Sequence, residues 1–259
     1  MFFQIKNYFS FLFHSTNKYG VHSPFVYNLI MQCFETKLDT KKSNQIKAYK
    51  AKLLNQNNTI NVTDFGAGSR VFKTNKRKIS AIAKNAGITT KRAKLLVNFV
   101  AYFKFENILE IGTSLGMGTH CLSLGNLNAK ITTLEGCPET LRVAKESLES
   151  FNIDTINFVA GDFNKTLKKV LVNTTYNLIY IDGNHQKEPT IAYFEACLKA
   201  KNEDSVFIFD DIHWSQGMNE AWQFIKNHEE VTLTIDTFFW GFVFFRKEQF
   251  QKEHFKIRL

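Results

Sequence analysis

Three aspartates in the carboxyl-terminal half each follow an apolar run. Asp182 comes at the end of the run in YIDGNHQ, and Asp210 and Asp211 end the run in FIFDDIHW. If both runs are parallel strands, their carboxyl ends lie at one edge of a sheet, where open α/β folds bind their ligands. Three carboxylates at one edge would repel one another, so the pattern favours a cation between them.

Another acid stands inside a glycine-rich stretch, ILEIGTSLGMGTH (108–120). Its spacing from Glu110 to Gly118 is E-x-G-x-x-x-G-x-G, whereas a dinucleotide-binding fold requires G-x-G-x-x-G. An acid at the end of the preceding strand would also repel a pyrophosphate. The stretch therefore predicts a site for a cationic ligand.

A second glycine-rich stretch, VTDFGAGSR (62–70), is the weaker candidate for a cofactor site. The segment that follows, VFKTNKRK, is too polar and basic to form the helix that packs behind a phosphate-binding turn. The later stretch follows the strand-like NILEI and precedes the apolar MGTHCLSLG. We therefore expect the cofactor at 108–120.

From about residue 107 the sequence alternates short β-branched runs with longer amphipathic ones, as βαβ units of a parallel sheet do. The last two strands are joined by so few residues that they must pair antiparallel. The sequence thus predicts an α/β fold with five parallel strands and a C-terminal hairpin. The predicted strands are 107–111, 130–134, 156–160, 176–181, 205–209, 231–236 and 238–245.

The first hundred residues differ from the rest in charge, with 17 Lys and Arg against three acids. We predict a basic, mainly helical N-terminal extension or lid over 1–104 and a cofactor-binding domain over 105–259. In the first helix, Phe2, Ile5, Phe9 and Leu12 share one face, which we expect to dock on the protein's own core, with a membrane surface as the alternative. The four widely spaced cysteines favour a cytoplasmic protein without disulfides, and no apolar run is long enough to predict a transmembrane helix.

The glycine-rich stretch in this strand context resembles motif I of the class I S-adenosylmethionine-dependent methyltransferases, over about residues 107–246. The resemblance implies their Rossmann-like, seven-stranded fold and S-adenosylmethionine as cofactor. Glu135 in TTLEG matches the acid that bonds the ribose hydroxyls, and Asp162 in AGDF the acid near the adenine amino group. The implied cofactor residues are Glu110, Gly112, Thr113, Ser114, Gly116, Gly118, Glu135, Gly136, Asp162, Phe163 and Asp182.

The acids after the fourth and fifth strands are similar to those of the catechol-type, metal-dependent O-methyltransferases. By that resemblance Asp182, Asp210 and Asp211 are ligands of Mg²⁺ or a similar divalent cation, although Asp211 stands where the family usually has Asn. His185 replaces the lysine base of those enzymes, so His185 and Asp182 are the implied catalytic residues for methylating a small-molecule hydroxyl. Trp214 is expected to form a wall of the substrate pocket, and His213 has no assigned role.

Upstream, YGVHSPFVY (19–27) and DFGAGSR (64–70) resemble segments of bacterial methyltransferases of this group. The hypothesis is that they close over the substrate, with His22 and Arg70 as contacts; a turn needed only for packing is the alternative.

Other methyltransferase chemistries have less support. The prolines, Pro24, Pro138 and Pro189, do not form the N/D-P-P-Y/F turn of amino-group methyltransferases of nucleic acids or a Pro-Cys nucleophile. The basic first hundred residues keep an RNA-directed methyltransferase as an alternative, although nucleic acid is not the favoured partner. A non-catalytic S-adenosylmethionine-binding protein is the other alternative.

Overall fold

The computed structural model describes residues 2–63, 65, 66, 68, 72–151, 153, 155–249 and 251–259. The chain divides into two compact units. We call Thr36–Thr166 the central unit, and Met1–Glu35 with Leu167–Leu259 the terminal unit. Residues 36–103 of the predicted extension thus share a unit with the glycine-rich stretch.

Amphipathic sequence patterns and N-capping residues define the helices. Asp39 and Thr89, for example, accept hydrogen bonds from the backbone N–H three residues later and so begin two of them. The helices are α1 (Phe2–His14), α2 (Pro24–Leu29, continued by a π-helical turn at Ile30–Phe34), α3 (Thr40–Leu54), α4 (Ile79–Asn85), α5 (Thr90–Phe103), α6 (Met117–Gly125), α7 (Pro138–Glu149), α8 (Phe163–Val170), α9 (Lys187–Leu198) and α10 (Gln216–Asn227).

The strands follow the β-branched and aromatic runs. They are β1 (Thr59–Asn61), β2 (Lys76–Lys78), β3 (Asn107–Ile111), β4 (Lys130–Glu135), β5 (Ile156–Ala160), β6 (Leu178–Ile181), β7 (Val206–Asp210), β8 (Leu233–Asp236), β9 (Trp240–Phe244) and β10 (Glu253–Lys256).

In the central unit, β3, β4 and β5 pair in parallel in that order, with Leu109 opposite Thr132 and Thr132 opposite Asn157. A separate antiparallel pair, β1 and β2, places Ile60 opposite Arg77. The carboxyl ends of β3, β4 and β5 therefore present the glycine-rich stretch, Glu135 and Gly161 at one edge.

In the terminal unit the strand order is β10-β8-β9-β7-β6. Strands β6 and β7 are parallel and fully buried, which is why they read as continuous apolar runs. Strands β8 and β9 are antiparallel to each other, and β9 is antiparallel to β7. The predicted α/β class, with parallel strands and a C-terminal antiparallel hairpin, is confirmed, and the seven predicted strands are present within two residues of their predicted ends.

The strand count is higher than predicted because the C-terminal β10 pairs in parallel with β8. The four residues of β10, EHFK, are too short and too charged to read as a strand, and they owe their conformation to hydrogen bonding with β8. The short pair β1 and β2 was not predicted either.

Helix α1 does not dock by the predicted face. Ile5 and Phe9 remain 49% and 55% exposed, whereas Phe11 on another face is buried. The rings of Tyr8 and Phe11 contact Phe238 at centroid distances of 4.9 and 5.6 Å. Within the part of the chain that the structure describes, no helix is long and apolar enough to cross a membrane.

Candidate active site

The glycine-rich stretch forms a tight turn between β3 and α6. Gly112 and Gly116 have φ of 109° and 78°, a region that favours glycine, and Ser114 adopts it too, with φ of 49°. A Cβ atom on Gly116 would lie 2.7 Å from the Tyr49 Oη atom. The turn brings the backbone N–H groups at the start of α6 close to the end of β3, as the predicted cofactor loop requires. Gly118 is the second residue of α6 and Thr113 is buried in the turn.

Glu110 lies beneath this turn and is fully buried. Its Oε2 atom accepts hydrogen bonds from Thr119 (2.5 Å) and Thr133 (2.6 Å), while its Oε1 atom has no hydrogen-bond partner. Burial raises the pKa of Glu110 to about 7, against the lowering effect of the two threonine hydroxyls. A buried carboxylate with an unsatisfied oxygen suits a neighbouring cationic ligand, since a positive charge would favour its ionised form.

Glu135, at the end of β4, connects two backbone segments through its carboxylate. Its Oε2 atom accepts from the Ser114 N–H at 2.8 Å and its Oε1 atom from the Cys137 N–H at 2.9 Å. The predicted ribose acid is thus fixed against the glycine turn. A Cβ atom on the next residue, Gly136, would lie 2.7 Å from the Phe65 ring. Phe65 belongs to the weaker glycine-rich stretch, so part of that stretch lies beside the predicted ribose position.

Asp162 and Phe163 follow β5 at the start of α8. The Asp162 Oδ1 atom accepts from the Asn164 N–H at 2.9 Å, and its carbonyl accepts from the N–H groups of Lys165 and Thr166. The carboxylate therefore helps to start the helix, and it lies at the same strand edge as Glu135. The predicted adenosine-binding acids are both in the central unit.

In the terminal unit, the Asp182 carboxylate lies close to the side chains of Tyr180 and His185. The Tyr180 Oη atom donates to its Oδ2 atom at 3.0 Å, and the His185 Nε2 atom lies 3.6 Å from its Oδ1 atom. His185 and Asn184 both have positive φ, at 45° and 72°. The predicted catalytic pair is therefore brought together on a sharply turned loop.

The predicted metal site gains no support from the structure. Among the described residues, no three His, Cys, Asp or Glu side chains are grouped so that they could hold a metal ion. Asp210 is buried at the end of β7, and Asp211, the next residue, has a positive φ of 53° and lines the cavity described below. The residues present do not fit a three-carboxylate metal centre with Asp182.

A cavity of about 570 Å³ opens beside α1 in the terminal unit, and we call it the α1 cavity. Five of its lining residues are Phe, Tyr or Trp, and Asp211 and His213 are its acid and its histidine. It is lined by Gln4, Ile5, Tyr8, Phe9, Asp211, His213, Trp214, Phe238 and Phe239. Trp214 therefore lines a cavity whose other side is the amino-terminal helix, and its role as a wall of the substrate pocket stays a prediction.

His213, at the wall of the α1 cavity, pairs with Asp236. Its Nε2 atom lies 2.9 Å from the Asp236 Oδ2 atom, and its ring stacks on Phe238 at 5.2 Å with an interplanar angle of 24°. Its Nδ1 atom is buried without a hydrogen-bond partner. Sequence reasoning did not assign His213 a role and missed Asp236, because the two residues are 23 positions apart and only the strand pairing joins them.

The other predicted substrate contacts are not placed at this cavity. His22 is exposed between a 3₁₀ turn and α2 and does not line the α1 cavity. Arg70 lies outside the described residues.

Comparison with known proteins finds a matching domain family for part of the chain. Residues 109–212 match the family model described as "Methyltransferase domain". Two protein-L-isoaspartate O-methyltransferases of Methanococcus maripaludis are similar, at 32% identity over 93 residues and 27% over 106 residues. These matches cover 35% and 40% of this chain, but only 41% and 45% of those proteins, so the chain spans less than half of their length.

Solved structures show the same fold at low sequence identity. An O-methyltransferase from Bacillus cereus in complex with S-adenosylhomocysteine gives a TM-score of 0.55 at 19% identity, covering 85% of this chain and 97% of that one. A methyltransferase from Podospora anserina bound to the same product gives 0.58 at 14% identity, covering 82% and 98%. The O-methyltransferase TomG from Streptomyces achromogenes, in complex with S-adenosylmethionine, gives 0.54 at 16%, covering 61% and 81%. Residues 109–212, which include the glycine turn and the strand-end acids, therefore match a methyltransferase domain, and the chain has the fold of these methyltransferase structures.

Proposed function

We propose that this protein is an O-methyltransferase that acts on the hydroxyl group of a small molecule. The observation that carries the proposal is the closure of the glycine turn on Glu135, with the Ser114 N–H donating to its carboxylate at 2.8 Å. This contact holds the turn and the ribose acid in one geometry before any ligand binds, which lowers the cost of ordering them on binding.

The proposed cofactor is S-adenosylmethionine, which supplies an electrophilic methyl group on a sulfonium. The glycine turn, from Gly112 to Gly118, would lie against the methionine part, with Glu110 beneath it. Glu135 and Gly136 would hold the ribose, and Asp162 and Phe163 the adenine. Asp182, after β6, completes the proposed set.

Methyl transfer to a hydroxyl also requires a group that accepts the proton. His185 is the first candidate, because its Nε2 atom lies 3.6 Å from Asp182 and a carboxylate partner favours the protonated imidazole that forms. Its side chain is about one quarter exposed, so the proton can leave to water. We derive no step through a divalent cation, because Asp182, Asp210 and Asp211 do not form a three-ligand group.

Two other classes of methyl acceptor are alternatives to a small molecule. An RNA acceptor is suggested by the basic first hundred residues. A protein carboxylate acceptor is suggested by the names of the M. maripaludis relatives. The small-molecule acceptor is favoured over both, because the described cavity is apolar and close to the usual size of small-ligand sites. A cytoplasmic location remains part of the proposal.

The test is formation of S-adenosylhomocysteine from S-adenosylmethionine with a panel of phenols, sugars and aliphatic alcohols, an RNA pool and an isoaspartyl peptide. We expect S-adenosylhomocysteine to form with at least one hydroxyl compound and not with RNA or the peptide. Each reaction is repeated in EDTA and with Asp210→Ala, which measures metal dependence directly. Turnover confined to RNA or the peptide would overturn the proposed acceptor class.

A further inference from the structure

Helix α1 has apolar residues on two opposite sides, and one of these sides is exposed. Phe11 is buried and contacts the Phe238 ring, whereas Phe9 and Phe13 are 55% and 85% exposed. Two residues along an α-helix correspond to about 200° of rotation, so Phe9 and Phe13 lie nearly opposite Phe11. We propose that this exposed side of α1 binds the surface of an anionic phospholipid bilayer.

Three side chains make up the exposed apolar surface, and we call Ile5, Phe9 and Phe13 the outer face of α1. Their spacing of four residues places them in one row along the helix, and Ile5 is 49% exposed. Lys6 and Ser10, both exposed, border this row on one side. An apolar row with a polar border is the pattern of a helix that lies in the plane of a membrane surface, with its rings at the boundary between headgroups and acyl chains.

The charge of this part of the chain suits an anionic surface. Residues 1–34 contain no Asp or Glu. The first acid, Glu35, accepts a hydrogen bond from Lys18 at 2.8 Å, which leaves Lys6 as a cation on the exposed side of α1. Lys6 can therefore contact lipid phosphates while the outer face enters the apolar boundary.

The C-terminal strand adds a second cation near the end of α1. The Thr16 N–H donates to the Lys256 carbonyl at 2.9 Å, and the Arg258 N–H donates to the Thr16 carbonyl at 2.9 Å. Arg258 is exposed, and Thr16 lies two residues after the end of α1. Asp211, which lines the α1 cavity, is half-buried. The strand pairing that brings Arg258 here was not predicted from the sequence, so this cation could not be counted toward α1 at that stage.

A lipid surface fits the outer face better than a second copy of the chain does. At about 200 Å² for a large apolar side chain, its exposed part is roughly 400 Å², half of the about 800 Å² that a stable protein interface takes from each partner. Two copies packed through α1 about a two-fold axis would also bring their Lys6 side chains together. A bilayer requires no complementary surface, and the net charge of +9 attracts the whole chain to anionic lipid.

The binding arm of the test is flotation of the full chain with vesicles of phosphatidylcholine, alone or with about one third phosphatidylglycerol. We expect flotation with the anionic vesicles, falling as the salt concentration rises, and little with phosphatidylcholine alone. Phe13→Ser should weaken binding severalfold, because Phe13 is the most exposed residue of the outer face and does not line the α1 cavity. Phe224→Ser is the matched control, since Phe224 is 43% exposed on α10, and it should leave binding unchanged.

The charge arm uses single cations in the terminal unit. Lys6→Gln and Arg258→Gln should each weaken binding to the anionic vesicles about fivefold, the effect expected for a cation at the lipid surface. Lys199→Gln is the control, because Lys199 is exposed at the end of α9, and its effect should be smaller. Equal effects of the three variants would show that net charge alone attracts the chain and would overturn the assignment to α1.

The insertion arm measures fluorescence of Phe13→Trp with vesicles whose acyl chains carry bromine. The introduced tryptophan should be quenched in excess of the wild-type tryptophans, because its ring enters the bilayer. Unquenched fluorescence in bound protein would overturn insertion of the outer face. This variant keeps an aromatic ring, so the measurement stands even if Phe13→Ser is unstable, which its urea midpoint would reveal.

Absence of the wild type from anionic vesicles, or equal losses in Phe13→Ser and Phe224→Ser, would overturn the proposal. Sedimentation velocity tests the other occupant: a dimer that Phe13→Ser dissociates, without flotation of the wild type, would assign the outer face to a second copy. Membrane binding is independent of the proposed function, which is tested by formation of S-adenosylhomocysteine in solution.

Discussion

The Tyr49 hydroxyl donates a hydrogen bond of 2.9 Å to the carbonyl of Leu115, 66 residues further along the chain. Tyr49 belongs to α3, and Leu115 lies in the glycine turn, so the upstream helix directly supports the proposed cofactor loop. The Tyr49 ring also stacks on His120 of α6, with centroids 4.6 Å apart. Residues upstream of β3 therefore support the glycine turn within the central unit.

Replacing Tyr49 with Phe should weaken cofactor binding and lower stability. The substitution keeps the ring stack but leaves the buried Leu115 carbonyl without this donor, a loss worth about 1–3 kcal/mol. We expect a lower urea midpoint and a higher Kd for S-adenosylhomocysteine by calorimetry. Tyr19→Phe is the control, because Tyr19 is 83% exposed. Equal Kd values for Tyr49→Phe and wild type would show that the turn does not depend on this bond.

Replacing Glu135 with Ala should weaken cofactor binding more strongly. The variant loses the proposed ribose acceptor, with each hydrogen bond to a charged group worth about 1.5–3 kcal/mol, and it also frees the Ser114 N–H. Glu146→Ala, which removes an exposed acid paired with Arg142 on α7, is the matched control. Isothermal titration with S-adenosylhomocysteine measures both. An affinity unaffected by Glu135→Ala would remove Glu135 from the site.

The buried Glu110 should make stability depend on pH. Burial raises its pKa from 4.5 to about 7, so the folded protein binds this proton more tightly than the unfolded chain does. The free energy of unfolding should therefore fall as the pH rises from 4.5 to about 7. The loss should approach about 3 kcal/mol, since one pKa unit corresponds to about 1.4 kcal/mol. Glu110→Gln should remove it. Urea unfolding at pH 4.5 and 8 would reveal this as a pH-dependent difference between wild type and variant; a constant difference would contradict it.

The basic upstream segment should bind RNA only weakly. A filter-binding series across salt concentrations should show affinity that falls steeply with salt, and neutralising Lys73, Lys76, Arg77 and Lys78 should flatten the slope. A tight complex that survives physiological salt would instead support the RNA-directed alternative.

The sequence predicted the strands well because hydrophobic periodicity and turn length are local signals. NILEI and INFVA coincide with β3 and β5, and the short link between the last two predicted strands required antiparallel pairing. β10 escaped prediction because EHFK becomes a strand only through its pairing with β8.

The candidate site was predictable where one motif carries it and not where distant residues meet. Glu110 and the glycines share one short stretch, and Glu135 follows the next strand. His213 and Asp236 are joined only by tertiary structure, as are Phe9 and Trp214 at the α1 cavity. The metal prediction assumed that acids at adjacent strand ends converge, but among the described residues no three His, Cys, Asp or Glu side chains are grouped so that they could hold a metal ion.

The measurement that tests the central claim most directly is calorimetric titration of the purified chain with S-adenosylhomocysteine, S-adenosylmethionine and NAD. The glycine turn with Glu110 beneath it and Glu135 beside it predicts one site that binds both adenosyl ligands, weakened by Glu135→Ala and not occupied by NAD. Binding of NAD without binding of S-adenosylhomocysteine would contradict the account.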